Sequence, residues 1–398
     1  METVLVNSTS GLGATEVYGR PLLERILIQC ERVGITRFLV EIGPAGRGAT
    51  IEAMGSFENR DGISLVESFQ SLLDGSGVIA SEPCLMISDN VVFSRAQLDA
   101  LLKLHATNPS GVTRLRSQDD HAEGIFATGP LTHLLTDLES HSALEFKNSY
   151  LPVALRNSPS NLGEAQRRLA LALRNETADS DGILARAFDR RLSWRLSSRL
   201  ANTRITPNQV TLANTAIGLA AAAMFAAPGY WWRLWASLLF LVSVTIDGVD
   251  GEVARLKMAE TPFGGMLDKI TDNIVNVAIF IGLTLGCYRI SGSKSYFYLL
   301  GILLIGFGFC AISVARAFSV SGPRAEQFIG KVDRVTGRDF AYILVVLALV
   351  NRLPIFAWGA AFGTYVFAFV LWILTDRYSS YDGSRSRSHE TPAVAEEV

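Results

Sequence analysis

Four aspartates crowd one short stretch of the chain, DGVDGEVARLKMAETPFGGMLDKITD, at residues 247–272. Asp247 and Asp250 stand three apart, and Asp268 and Asp272 four apart. On a helix either spacing puts both carboxylates on one face. Four such groups brought together cannot all stay ionised without cations between them. Oxygen-only ligands suit hard divalent ions, Mg²⁺ above all, with Mn²⁺ or Ca²⁺ as alternatives. Ions held in this way clamp phosphoryl oxygens while one carboxylate takes a proton from an attacking hydroxyl. Gly248, Gly251 and Ala254 remove bulk beside the carboxylates, so that a flat base or a pyrophosphate can approach, and Arg255 brings a guanidinium to the phosphate. Plain helix packing also uses such small residues.

The segments that must position these groups are apolar. WASLLFLVSVTI precedes the stretch and NIVNVAIFIGLTLG follows it. A carboxylate near a bilayer is expensive and usually functional. Across the 398 residues, 49% are hydrophobic, and mean hydropathy is +0.26. A span needs about 20 apolar residues, which predicts six spans near 209–228, 231–250, 266–286, 295–317, 338–351 and 354–375. Trp231, Trp232 and Trp235, and then Tyr296 and Tyr298, suit interfacial belts. Arg and Lys gather on one side of such a bundle, so the positive-inside rule places both termini and the aspartates in the cytoplasm. The expected location is the inner or plasma membrane, crossed several times.

Residues 1–150 read instead as an α/β domain. TRFLVEI and EPCLMIS look like buried strands, and LLERILIQCERVG like a helix closed at Gly34. Strand, helix, strand in that order predicts a parallel sheet. Residues 151–180 read as a helical linker. Residues 181–204 read as a basic amphipathic interfacial helix lying on an anionic membrane face, with packing on the α/β domain as the alternative. Residues 379–398 read as a disordered tail. No cleaved signal peptide is expected. The formal net charge of -2 gives no footprint for nucleic acid. Four scattered cysteines read as reduced, packed thiols, and the five histidines as isolated surface residues.

The aspartate stretch resembles the signature of the CDP-alcohol phosphotransferase family, D-x2-D-G-x2-A-R-x8-G-x3-D-x3-D. Asp247, Asp250, Gly251, Ala254, Arg255, Gly264, Asp268 and Asp272 fill it with every spacing kept. The resemblance covers about 181–378, with the six-span domain at 205–378. It implies transfer of a substituted phosphoryl group from a CDP-alcohol to an acceptor hydroxyl, with release of CMP. Asp247, Asp250, Asp268 and Asp272 would ligate one or two Mg²⁺ or Mn²⁺ ions, and Asp272 would also be the general base. Gly248, Gly251, Ala254, Arg255 and Gly264 would line the nucleotide site. ITPNQVT is similar to the family's nucleotide-facing segment, which adds Asn208 and Thr211; a helix cap around Pro207 is the other reading of them. The donor would be CDP-diacylglycerol or a CDP-polyol, within membrane lipid, and a homodimer is compatible with the family.

STSGLGATEVYGRPLLERIL and LMISDNVVFS resemble parts of a sugar-nucleotidyltransferase domain, with Asp89 at that family's metal position. The G-x-G-T-R loop and the following Pro-Lys are missing. Gly11 and Gly13 remain without an Arg or Lys to hold a triphosphate. The expectation is a degenerate, Rossmann-like domain. The fusion is also similar in architecture to archaeal enzymes that make CDP-inositol and join it to inositol phosphate, which suggests an acceptor of the inositol phosphate type. Arg316, Arg334 and Arg338 are acceptor-phosphate candidates, or else positive-inside and headgroup charges. Two alternatives stay open: an ion-coupled transporter, and a bifunctional enzyme whose N-terminal domain makes its own CDP-alcohol.

Overall fold

The structure is a computed structural model, described for residues 3–69, 83–107, 112–115, 125–136, 143–144, 153–156, 159–176, 190–319 and 340–388. It divides into two compact units. One holds the N-terminal α/β part together with Trp194–Ile205 and Glu252–Glu260; the other holds Thr206–Gly251 and the chain from Thr261 onward.

Among the described residues the main sheet of the α/β unit has seven strands: β1 Thr3–Asn7, β2 Arg37–Glu41, β3 Ile63–Val66, β4 Pro83–Ser88, β5 Thr113–Leu115, β6 Phe126–Pro130 and β7 Ala143–Leu144. They lie in the order β7-β5-β6-β4-β1-β2-β3. The sheet is parallel, as expected from strand-helix-strand order, except that β6 runs antiparallel to both β4 and β5. TVLVN, RFLVE and PCLMIS read as near-continuous apolar runs because their sheet is covered on both faces; Val4 and Val6 enter one hydrophobic cluster and Leu5 another.

Among the described residues five helices belong with this sheet: α1 Leu22–Arg32, α2 Arg47–Met54, α3 Arg95–Thr107, α4 Leu131–Thr136 and α5 Pro159–Glu176. The first closes as expected, with Gly34 at φ +89° and its N–H on the Glu31 carbonyl. The fifth sits where a linker is expected, yet its Ala165 and Leu169 are buried in the sheet's core. Val153–Ala154 also pairs antiparallel with Val91–Val92, past the expected boundary at 150. Apolar periodicity within a charged sequence drew this segment onto the fold.

Residues 190–201 form α6, Arg190–Ala201. Trp194 and Ala201 on it are buried in the α/β core, while Arg195 and Arg199 are exposed. The apolar residues Trp194 and Ala201 thus pack on the α/β domain, not on a membrane face as expected for an interfacial helix; residues 181–189 lie outside the described ones.

The helices that follow are α7 Pro207–Phe225, α8 Tyr230–Asp247, α9 Val249–Lys257, α10 Pro262–Ser291, α11 Ser295–Phe318, α12 Phe340–Leu349 and α13 Leu353–Ser388; all belong to the helical unit except α9 from Glu252 onward, which belongs to the α/β unit. Each expected span is helical over most of its described residues. Among the described residues four stretches, against the six expected, are long and apolar enough to cross a membrane: Tyr230–Lys257, Pro262–Ser291, Ser295–Phe318 and Leu353–Asp376. Asn208, Gln209, Thr211, Asn214 and Thr215 lower the hydropathy of α7. The 10 residues of α12 reach about 15 Å, half of a bilayer core. Positions 338–339 lie outside the described residues. The last helix runs on to Ser388, past the expected start of a disordered tail at 379; adding residues to a formed helix needs no new nucleus.

Close packing in this unit rests on glycine. A Cβ on Gly282 would stand 2.1 Å from the Ala222 carbonyl oxygen, and one on Gly286 2.1 Å from that of Phe225. These two residues, one turn apart on α10, let its backbone meet that of α7, as small-xxx-small pairs do in membranes. Gly218 on α7 leaves room for Val275 of α10 in the same way.

Candidate metal centre

The short helix α9 begins where α8 stops. Gly248 caps α8, so Asp247 ends one helix and Asp250 opens the next. Thr261 then caps α10, its side chain accepting the Gly264 N–H at 3.0 Å, and Asp268 and Asp272 follow one turn apart. Oxygen atoms of Asp247, Asp268 and Asp272 all lie within 4.8 Å of one another. Asp247 is buried and the other two are partly so. Three carboxylates at this separation, with no softer donor among them, fit a hard divalent cation. Asp250 stands apart from this trio. Thr211 donates its hydroxyl to one Asp250 oxygen, and the Gly251 N–H reaches the other at 2.6 Å.

The start of α7 serves both as cap and as lining. Thr206 and Gln209 form a reciprocal capping box around Pro207. Asn208 is free of that cap: a Cβ on Gly264 would stand 3.1 Å from its Oδ1, so glycine there lets the amide close on α10. Thr211, also expected at the site, binds Asp250 directly.

Two polar residues of the site were not singled out from sequence. Asn214 donates from Nδ2 to Asp247 Oδ1 at 3.5 Å and accepts the Ser243 hydroxyl on Oδ1 at 2.8 Å. Ser243 thereby fixes the amide so that its NH₂ faces the carboxylate. A signal existed: Asn214 lies three residues after Thr211, and Ser243 four before Asp247, both polar in apolar helices. Beside this relay a cavity of about 160 Å³ is lined by Asn214, Ser243, Asp247, Asp272, Asn276 and Phe340, among others.

Arg255 is half-buried, and among the described residues its buried Nε has no hydrogen-bond partner. Such a donor is costly to bury unless an acceptor arrives. Arg316 donates from Nη2 to Asp376 at 2.6 Å and lies over the Trp372 ring at 4.1 Å, while among the described residues its buried Nη1 has no hydrogen-bond partner. Arg334 and Arg338 lie outside the described residues.

In the α/β unit Asp89 is buried, and both of its oxygens are taken, by the Ser10 hydroxyl and by the Gly13 N–H at 3.1 Å. Burial pushes its carboxyl above the usual range. The cavity beside Gly11, Gly13, Thr50 and Asp89 measures only about 30 Å³. All four cysteines are free thiols.

An α/β unit joined to an apolar helical unit, with an oxygen-only acidic centre in the latter, defines a membrane-associated class suited to phosphate chemistry. The CDP-alcohol phosphatidyltransferase family pattern matches residues 204–375, and the chain belongs to that family through this region. It is similar to the phosphatidylinositol phosphate synthase of Mycobacteroides abscessus, 30% identical over 38% of this chain and 67% of that one. It is also similar to the archaetidylinositol phosphate synthase of Pyrococcus horikoshii, 26% identical over 45% of this chain and 84% of that one. The bifunctional IPC transferase and DIPP synthase of Thermococcus kodakarensis is 28% identical over 50% of this chain and 44% of its own length. The chain spans between 23% and 44% of the curated bifunctional relatives that it matches.

Proposed function

We propose that the chain transfers a substituted phosphoryl group from a CDP-alcohol to an acceptor hydroxyl of the inositol phosphate type, releasing CMP. The observation that carries this is the convergence of Asp247, Asp268 and Asp272 within 4.8 Å on the family's signature. Those three carboxylates would hold a divalent cation, Mg²⁺ or Mn²⁺, which when bound supplies positive charge to the pyrophosphate oxygens. Asp250, steadied by Thr211, completes the acidic set.

Arg255 holds a phosphate of the donor, where its Nε gains the acceptor it lacks. Asn208, Thr211, Gly248, Gly251, Ala254 and Gly264 line the nucleotide. Asn214, oriented by Ser243, keeps Asp247 turned toward the centre. Asp272 takes the proton of the acceptor hydroxyl. The freed oxygen bonds to the phosphorus that carries the alcohol, the bond from that phosphorus to the bridging oxygen breaks, and CMP leaves with that oxygen.

Six crossings, with the centre on the cytoplasmic side, remain the topology that the Arg and Lys pattern supports. The α/β unit is read as degenerate: Asp89 is spent on its own loop, and the adjoining cavity of about 30 Å³ is far below the roughly 300 Å³ of an ordinary ligand pocket. The test is a panel of CDP-alcohols and polyol phosphates incubated with purified protein and Mg²⁺, reading CMP and product mass. CMP release that needs both donor and acceptor is expected. Protein that is folded and metal-loaded yet releases no CMP with any pair would overturn the reading.

A further inference from the structure

The α/β unit has no chemistry of its own on this reading, yet it grips one end of α9. That helix is short, 9 residues, and a helix of this length is not stable alone. It ends at Met258, which takes a left-handed φ of +53° without being glycine. The Ala254 and Arg255 carbonyls are closed by the N–H groups of Ala259 and Met258. The next two carbonyls belong to Leu256 and Lys257, and each meets an arginine. Arg25 Nη1 donates to the Leu256 oxygen at 2.7 Å, and Arg20 Nε to the Lys257 oxygen at 2.7 Å.

Both arginines are themselves held. Arg25 is 3% exposed and also donates to the Val17 carbonyl at 3.1 Å. Burial lowers its pKa to about 10, which still leaves it charged at neutral pH. Arg20 is tied at 2.7 Å to Glu24, and Glu24 in turn accepts from the Ser56 N–H and hydroxyl. Leu256 itself is fully buried in the α/β core. Two cations on the final carbonyls of a helix answer its partial negative charge. Burying a cation is costly, and an apolar side chain would fill the same space more cheaply; a guanidinium, by contrast, fixes the carbonyls in direction as well as distance.

We propose that Arg25 and Arg20 are positioning residues for the nucleotide site: from the α/β unit they lock the C-terminal end of α9 and so set where Arg255 stands. The inference rests on the proposed role of Arg255 at a phosphate. It gives the α/β unit a function in the transfer without catalysis of its own.

The test uses the full chain in detergent micelles with Mg²⁺, and CDP as the probe, titrated calorimetrically. Arg255→Ala should weaken CDP binding roughly 10- to 100-fold, the worth of one charge-assisted contact. Arg20→Ala, whose side chain is 30% exposed and which should fold, is expected to weaken it several-fold. In the Arg255→Ala background the same change should have no further effect, because it acts through Arg255. Arg25→Lys should recover much of the affinity that Arg25→Met loses. Leu98→Ala, a core change in the same unit, should lower the melting temperature and leave CDP affinity unchanged. Hydrogen exchange at residues 256–260 should quicken in the Arg20 and Arg25 variants alone. If the Arg20→Ala loss adds in full on top of Arg255→Ala, or if Leu98→Ala weakens CDP as much, the positioning role is wrong although the nucleotide reading stands. If the unaltered protein binds no CDP, the nucleotide reading itself fails and takes this inference with it.

Discussion

Gly282→Ala adds one methyl group where the α10 backbone meets that of α7. The new Cβ would lie 2.1 Å from the Ala222 carbonyl oxygen, whereas carbon and carbonyl oxygen normally keep about 3.3 Å apart in helix contacts. The α10 backbone must therefore withdraw from α7 by about 1.2 Å at that point, because a backbone carbonyl in a helix cannot swing aside. Asp272 lies about 15 Å away along the same helix, so a tilting α10 passes on part of the shift. A misplacement of about 1 Å costs up to 10²-fold in rate, and we expect kcat to fall roughly 10- to 100-fold. Stability should fall too, since overpacking costs roughly 1–3 kcal/mol against about 1 kcal/mol returned by helix propensity. The control is Gly308→Ala on α11, where an added Cβ meets nothing within 4 Å; it should keep full rate and melt slightly higher. CMP release and thermal melts of the two variants side by side form the assay. Equal rates in both, or a Gly282→Ala melting point at or above the parent's, would refute the argument that this contact sets the carboxylate geometry.

Four further outcomes are expected. Asp272→Asn should lower turnover by roughly 10²- to 10⁴-fold while CDP-alcohol binding stays measurable, and Asp247→Asn should weaken metal-dependent nucleotide binding as well; calorimetry with CMP-release kinetics checks both, and the reverse pattern would exchange their roles. Thorough chelation should abolish CMP release, and added Mg²⁺ or Mn²⁺ should restore it. The full chain given CTP and polyol phosphates should release no pyrophosphate above background, because Asp89 is committed to Ser10 and Gly13; clear release would make the protein bifunctional. Burial, with the Asp89 charge added, raises the Glu41 carboxyl above its usual range. A raised folded-state pKa gives stability that is present below the unfolded value of about 4.3 and lost as pH rises through the folded one. Glu41→Gln should therefore match the parent near pH 4 and melt higher than it at neutral pH, and a difference that does not change with pH would contradict this.

Much of the site could be read from spacing, because the relevant order is local. Three- and four-residue intervals put carboxylates on shared helix faces whatever the helices pack against, and apolar runs announce the helices themselves. The strands β1, β2 and β4 were legible for a similar reason: a strand covered on both faces has little choice but to be apolar throughout. The antiparallel β6 was not, since strand direction depends on how the chain returns. Likewise α5 carries enough charge to look like a linker, and only the sheet beneath it shows where its Ala165 and Leu169 go.

The sequence by itself determined the donor chemistry of the centre, namely four aspartates, no softer ligand and an arginine among small residues. Tertiary structure decided which of them meet. Asp247, Asp268 and Asp272 converge while Asp250 binds Thr211, because α10 approaches α7 as closely as Gly282 and Gly286 permit, and that distance is fixed far from the carboxylates in the chain. It also decided that Ser243 and Asn214 link by hydrogen bonds to Asp247, and that Arg20 and Arg25 cap the last carbonyls of α9, more than 200 residues away in sequence. Periodicity acts over one or two helical turns, so it can assign a residue to a face; contacts of this separation exist only once the whole chain has packed.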